Sequence, residues 1–150
     1  MKLLSLSNSS RRVAVDDEDY ERCKLYKWRL DINIVRGGPS YRDKLSNFIM
    51  KDSNNKYDHK DLNPLNNQKS NLRICTHSQN MANRRKFKGT SSKYKGVYWH
   101  IRDKIWIAEI NANQKKIYLG SYKSEIAAAR KYNEEAPKYF GEFARLNIIE

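Results

Sequence analysis

Cysteine is scarce in this sequence. Only Cys23 and Cys75 occur among 150 residues, they stand far apart, and no Cys-x-x-Cys pair exists. That excludes a disulfide framework and a zinc knuckle; no structural zinc is expected, and a reducing compartment fits best. Long apolar runs are also missing. The opening "MKLLSLS" has too short an apolar core for a signal peptide, and no other run approaches membrane-spanning length. The expectation is a soluble cytoplasmic protein with no membrane partner. Acidic residues are outnumbered, 17 Asp and Glu against 30 Lys and Arg, for a formal charge of +13. A field of that sign selects a polyanion, so nucleic acid is the leading partner. A ribosome-like or simply well-solvated basic protein carries the same charge.

What is present is enough for a fold without staples. The chain is 39% hydrophobic, and a chain of this length buries roughly two thirds of its unfolded surface, giving one modest core or two small ones. Two short extended runs, Leu3 to Leu6 and Arg12 to Val15, flank the turn-rich "SNSS". The following "DDEDYERCKLYKW" begins with acidic residues suited to a helix N-terminus. A hairpin and a short helix are predicted. "KWRLDINIV" then alternates as one extended run before Gly37 and Gly38 turn the chain, and "KLSNFIM" is a second short apolar segment that could be either strand or helix.

The segment "YDHKDLNPLNNQKSNLRICTHSQN", Tyr57 to Asn80, is polar where a small domain would build its core. Lys56 to His59 reads as the end of a strand, "LNPLNNQKS" as a loop, Leu72 to Ile74 as a returning strand, and Thr76 with Gln79 as a capping box opening a helix. This is a ββα unit. Asp58 and His59 end one strand, while His77 and Asn80 share one helix face because they are three residues apart.

Those residues resemble the HNH endonucleases of the homing type, in the variant whose last motif residue is Asn. Asp-His, "NPLNNQKSNLR" and "THSQN" carry the resemblance, and "VAVDDEDYERCKLYKW" resembles the region that often precedes this unit in phage and bacterial members. The resemblance covers most of residues 1–86, with the ββα motif at about 56–86. It departs in two places: Leu62 stands where the family commonly has Gly, and Ser46 and Asn47 where it often has a His-Arg pair.

The resemblance implies one divalent ion, Mg²⁺ or Mn²⁺, held by the hard oxygens of Asp58 and Asn80, with His77 a secondary candidate. His59, pointing to the other side of the strand, then serves as general base on water, and Asn71 orients it and braces the loop. Arg73, Arg84 and Arg85 are expected on the DNA backbone. "MANRRKFKGTSSKYK" has almost nothing to bury. It reads as a basic linker, centred on residues 87–91, whose Lys86 and Lys88 track phosphates.

Beyond the linker, "YKGVYWHIR", "IWIAEINAN" and "KKIYLGSY" are three strand-like runs, and "SEIAAARKYNEEA" is an amphipathic helix with Ser124 as N-cap. Three antiparallel strands packed on one helix follow. Residues 92–147 closely resemble the APETALA/ethylene-response-factor DNA-binding domain through "YKGVYWH", "WIAEI", "YLGSY", "AAARKYN" and "YFGEFARLN". The resemblance implies a sheet in the major groove of double-stranded DNA, contacting it through Lys95, Tyr98, His100, Glu109, Asn111, Lys116 and Tyr118, with Arg102 on the same face. Pro137 is expected to kink the helix or end it early.

The whole reads as an α+β chain: residues 1–86 a nuclease domain that cuts, 87–91 a linker, residues 92–147 a sheet that chooses the site. The expected activity is metal-dependent, site-selective DNA hydrolysis, with no obligate protein partner. A nucleoid association in a bacterial or phage-infected cell follows from resemblance alone. The rival reading is a DNA-binding transcriptional regulator whose nuclease unit has decayed.

Overall fold

The computed structural model describes residues 1–86 and 89–149. It is an α+β structure of four helices and several small antiparallel sheets, and it divides into two compact units, residues 1–76 and 77–150.

In the first unit, β1 (Lys2–Leu6) and β2 (Ser9–Val15) form an antiparallel hairpin in which Lys2 faces Val15 and Leu4 faces Val13. Alternation sends Leu4, Leu6, Val13 and Val15 into the core. Asn8, in the hairpin turn, exchanges two side-chain hydrogen bonds with the Leu30 backbone, accepting from its N–H at 2.9 Å and donating to its carbonyl at 3.0 Å. Helix α1 (Asp17–Cys23) opens on three acidic residues, as its dipole favours. Its Arg22 then donates to Asp19 and to the carbonyls of Phe48 and Ile49, tying α1 to the end of α2 (Leu45–Met50). Trp28, fully buried, meets the Phe48 ring edge-on at 5.4 Å and donates its indole N–H to the Cys23 carbonyl. Both cysteines are free and buried, and burial pushes the Cys23 thiol up to about 11.

The single extended run expected from Lys27 to Val35 is instead a tight hairpin, β3 (Trp28–Asp31) and β4 (Ile34–Gly37), followed by the short β5 (Asp43–Lys44). Its turn falls on Ile32, in the left-handed region at φ 54° and 93% exposed. A β-branched residue is a poor signal for such a turn, which is why alternation alone reads straight through it. β6 (Tyr57–His59) and β7 (Leu72–Ile74) complete the unit as a two-stranded sheet with Asp58 opposite Arg73.

The second unit begins with α3 (His77–Asn83) and continues as a three-stranded sheet of β8 (Val97–His100), β9 (Ile105–Ala112) and β10 (Lys115–Tyr122), with β9 central. Helix α4 (Glu125–Phe140) starts at Ser124, whose hydroxyl accepts from the Ala127 N–H. Ala128, Ala129 and Ala136 are completely buried, letting the helix approach the sheet closely. Pro137 does not end this helix, which runs on to Phe140. It sits in the last turn, where burial of Ala136 and Phe140 outweighs one lost backbone bond, and its own carbonyl still accepts from Gly141.

Gly96 shows how tight this unit is. At φ 72°, a β-carbon there would lie 2.0 Å from the Tyr132 ring and 2.8 Å from the Glu109 carbonyl oxygen. Gly141, at φ 54° and ψ −131°, has open space around it. Gly141→Ala should therefore cost only backbone strain, about 1–3 kcal/mol, and Gly96→Ala that strain plus about 1–3 kcal/mol of overpacking. Urea denaturation of both variants measures the difference, and equal costs would contradict the packing described.

Candidate functional site

The β6–β7 hairpin and its long loop hold the polar side chains that the sequence singles out in the first unit. Asp58, in mid-strand, is 4% exposed. Arg73 lies directly opposite and donates to its Oδ2 through Nε at 3.1 Å and Nη2 at 3.0 Å. That guanidinium is itself 11% exposed in its side chain. The sequence reading put Arg73 on the DNA backbone; the structure commits it to Asp58, because antiparallel register sets the two opposite charges face to face.

His59, one residue on, points to the other face of the strand. Its Nε2 lies 3.2 Å from Asn67 Oδ1, and the Asn67 amide donates to the Pro64 carbonyl at 2.8 Å. Burial holds the His59 imidazole below its ordinary pKa, against the opposing pull of the Asn67 bond and the Asp61 and Asp58 charges. The neutral ring is thereby favoured.

Asn71 does not orient His59. Its hydrogen bonds all serve the loop: Nδ2 donates to Asp61 Oδ1 at 2.9 Å and to the Asn66 carbonyl at 2.8 Å, and Oδ1 accepts from the Asp61 N–H at 3.1 Å. Bracing is its observed role, and orientation falls to Asn67. No spacing rule singles out Asn67; the only signal was the unusual density of asparagines in "LNNQKSN". Asp61 is held below its ordinary pKa. Burial alone would raise it, and the donors from Asn63, Asn66 and Asn71 outweigh that.

Leu62 occupies the position where glycine was expected. It takes φ 62° itself, a conformation that costs a residue with a β-carbon roughly 1–2 kcal/mol, and its N–H closes the turn on the His59 carbonyl at 3.0 Å. The loop is further stitched to β2: the Ala14 N–H donates to the Leu65 carbonyl at 2.7 Å, and the Asn67 N–H to the Ala14 carbonyl at 2.8 Å. Asp16 accepts from the Lys69 backbone at 2.8 Å and from the Gln68 side chain at 3.2 Å.

In the second unit, α3 carries His77 and Asn80 in its first turns, with His77 exposed and Asn80 half-buried. Arg84 and Arg85 follow it and are exposed. Two lysines expected on DNA are used internally. Lys95 donates to the carbonyls of Met81, Ala82 and Arg84, neutralising the negative end of α3, and burial with the nearby Arg145 charge lowers its amine to about 8. Lys86 donates to the Val97 carbonyl at 3.1 Å, and burial lowers its pKa as well. Lys88 lies outside the described residues.

The remaining candidates do share a surface. Strand alternation and register put Tyr98, His100, Glu109, Asn111, Lys116 and Tyr118 on the sheet face away from α4, with Asn111 opposite Lys116 and Glu109 opposite Tyr118. Tyr118 is 61% exposed, Arg102 stands exposed in the β8–β9 turn, and Lys116 Nζ lies 3.7 Å from Glu109. Ile107, omitted from the sequence reading, lies on the same face opposite Tyr98. His100 Nδ1 is 3.1 Å from Asp103. Among the described residues, no group of three or more His, Cys, Asp or Glu side chains could hold a metal ion.

Comparison with known proteins gives two relatives. Over 93 residues the chain is 41% identical to an uncharacterized HNH endonuclease of Acanthamoeba polyphaga mimivirus, covering 62% of this chain and 47% of that protein. Over 66 residues it is 36% identical to an AP2-like ethylene-responsive transcription factor of Arabidopsis thaliana, covering 44% of this chain and 14% of that protein. The chain thus spans less than half the length of the curated relatives it matches. No family model matches, and no solved structure does.

Two outcomes test these assignments. Arg73→Ala leaves the buried Asp58 carboxylate short of its cation and should cost about 3 kcal/mol of stability in urea denaturation; a variant as stable as wild type would return Arg73 to the surface. Lys95 sets a pH dependence. Its folded pKa lies below its unfolded one, so between about pH 8 and 10.5 the unfolded chain binds more protons and this group's contribution to stability rises with pH. The melting temperature of wild type minus that of Lys95→Met should increase across that window, and a decrease would contradict the burial.

Proposed function

We propose that this protein is a metal-dependent DNA endonuclease of the HNH homing type. Residues 1–86 form its cutting part, and the sheet of residues 92–147 selects where it cuts on double-stranded DNA. The observation that carries the reading is a half-buried histidine, its neutral form favoured by burial, that meets an asparagine of the loop next to an aspartate, in a chain of +13 charge. The similarity to an HNH endonuclease supports the chemistry, and the similarity to an AP2-like factor supports the binding.

Phosphodiester hydrolysis needs a base for water and a counter-charge for the phosphate and the leaving oxygen. His59 is the base. Asn67 Oδ1 can only accept, so Nε2 keeps its proton in the neutral ring and the lone pair that would take a proton from water sits on Nδ1. Asp58 carries a carboxylate and Asn80 an amide oxygen, each a hard donor of the kind that suits Mg²⁺ or Mn²⁺ and not a thiolate-loving metal. The bound ion would supply the counter-charge. Asp58 would share its carboxylate between that ion and Arg73, which already compensates its charge. His77 stays a secondary candidate for the ion or the phosphate. Arg84, Arg85, Arg102, Lys116 and the two tyrosines of the outer sheet face provide backbone and base contacts.

The decisive experiment is single-turnover cleavage of duplex DNA with Mg²⁺ or Mn²⁺ and with chelator. Wild type should cut only with the ion. His59→Ala should slow cutting by about 10²- to 10⁴-fold while DNA affinity stays unchanged. Salt-dependent binding with no cutting in either ion would favour the regulator with a decayed nuclease unit, a reading to which the left-handed Leu62 lends weight.

A further inference from the structure

We propose that Asn67 is a positioning residue that fixes the tautomer and ring plane of His59. The consequence for cutting rests on the nuclease reading above; the tautomer itself does not. Asn67 is among the largest fully buried side chains, 1% exposed, although it is a polar residue in a loop. Its amide cannot turn over. With Nδ2 donating to the Pro64 carbonyl, Oδ1 faces His59 Nε2; a flip would set Oδ1 against the Pro64 carbonyl oxygen, two acceptors in contact. A buried amide in that position has one satisfied orientation.

An amide oxygen donates nothing, so the neutral His59 ring must carry its proton on Nε2 and its lone pair on Nδ1. Which nitrogen of a histidine is basic is decided by the bond that the other one makes. The Asn67 backbone is held independently of that bond. Its N–H donates to the Ala14 carbonyl, Ala14 returns a bond to the Leu65 carbonyl, and Ala14 faces Asn66 across an isolated parallel bridge. The amino-terminal hairpin therefore supports the ring plane through strand β2. It acts on the reacting group at two removes, through a loop and one amide.

The test reads the ring directly. Nitrogen-15 spectra of histidine-labelled full-length protein, without DNA or metal, are recorded at about pH 8, above the ordinary histidine range. Wild-type His59 should show Nε2 as a protonated nitrogen and Nδ1 as a bare one, with a single tautomer. Asn67→Ala removes the acceptor at Nε2 and should lower the Nε2-protonated fraction, and with DNA and Mg²⁺ its cleavage should fall about 10- to 100-fold, as losses of residues that orient a reacting group do. A wild-type ring protonated on Nδ1, or a mixture, overturns the inference without any variant having to fold. So does a folded Asn67→Ala with the wild-type tautomer and the wild-type rate. A single Nε2-protonated tautomer in a protein that never cuts DNA would sustain the positioning and sink the nuclease reading.

Discussion

Everything proposed for this protein depends on a loop that would not hold its shape alone. The residues between β6 and β7 are mostly polar, and a segment that long is costly to order unless its backbone groups find fixed partners. Four asparagines, Asn63, Asn66, Asn67 and Asn71, and Asp61 supply them from within, and Asp16 and the Ala14 backbone supply more from outside. The apolar core of the first unit enters the same scaffold through Leu65 and Leu72, both in the cluster formed by the amino-terminal hairpin, Trp28 and Ile49. Hydrophobic burial anchors the loop at its middle, Leu65, and at its return into β7, Leu72, and hydrogen bonds fix the polar residues between.

Charge is organised differently in the two units. In the first, a cation and an anion are taken out of water together: Arg73 and Asp58 form a pair whose separate parts would be expensive to bury. In the second, the sheet face away from α4 keeps Lys116, Arg102 and two tyrosines in solvent, while Lys86 and Lys95 turn inward to carbonyls. Basic composition alone cannot separate lysines that bind a partner from lysines that finish a helix. The difference lies in whether the amine has a carbonyl group within reach.

Much of this was legible in the sequence. Alternation and turn residues gave the amino-terminal hairpin, the β6–β7 pair, the three-stranded sheet and the helix behind it, and the acidic run gave α1. Three things were not. Ile32 and Leu62 take left-handed conformations that their residue types argue against, so one strand was read too long and Leu62 stood only as a departure from glycine. Pro137 was read as a break because local rules take no account of the burial of Phe140 behind it. In the candidate site, Asp58, His59 and Asn71 stood out by type and spacing, but which asparagine meets the imidazole is set by loop closure. Spacing along the chain does not encode it.

The central claim is that this polar loop is chemical equipment and not only a brace. Cleavage of duplex DNA in oxygen-18 water, with Mg²⁺ present and the products analysed by mass spectrometry, addresses it most directly. The account predicts broken strands whose new terminal phosphate carries one heavy oxygen, delivered by the water that His59 deprotonates. Intact DNA after prolonged incubation in both Mg²⁺ and Mn²⁺, or breaks carrying no label, would contradict it.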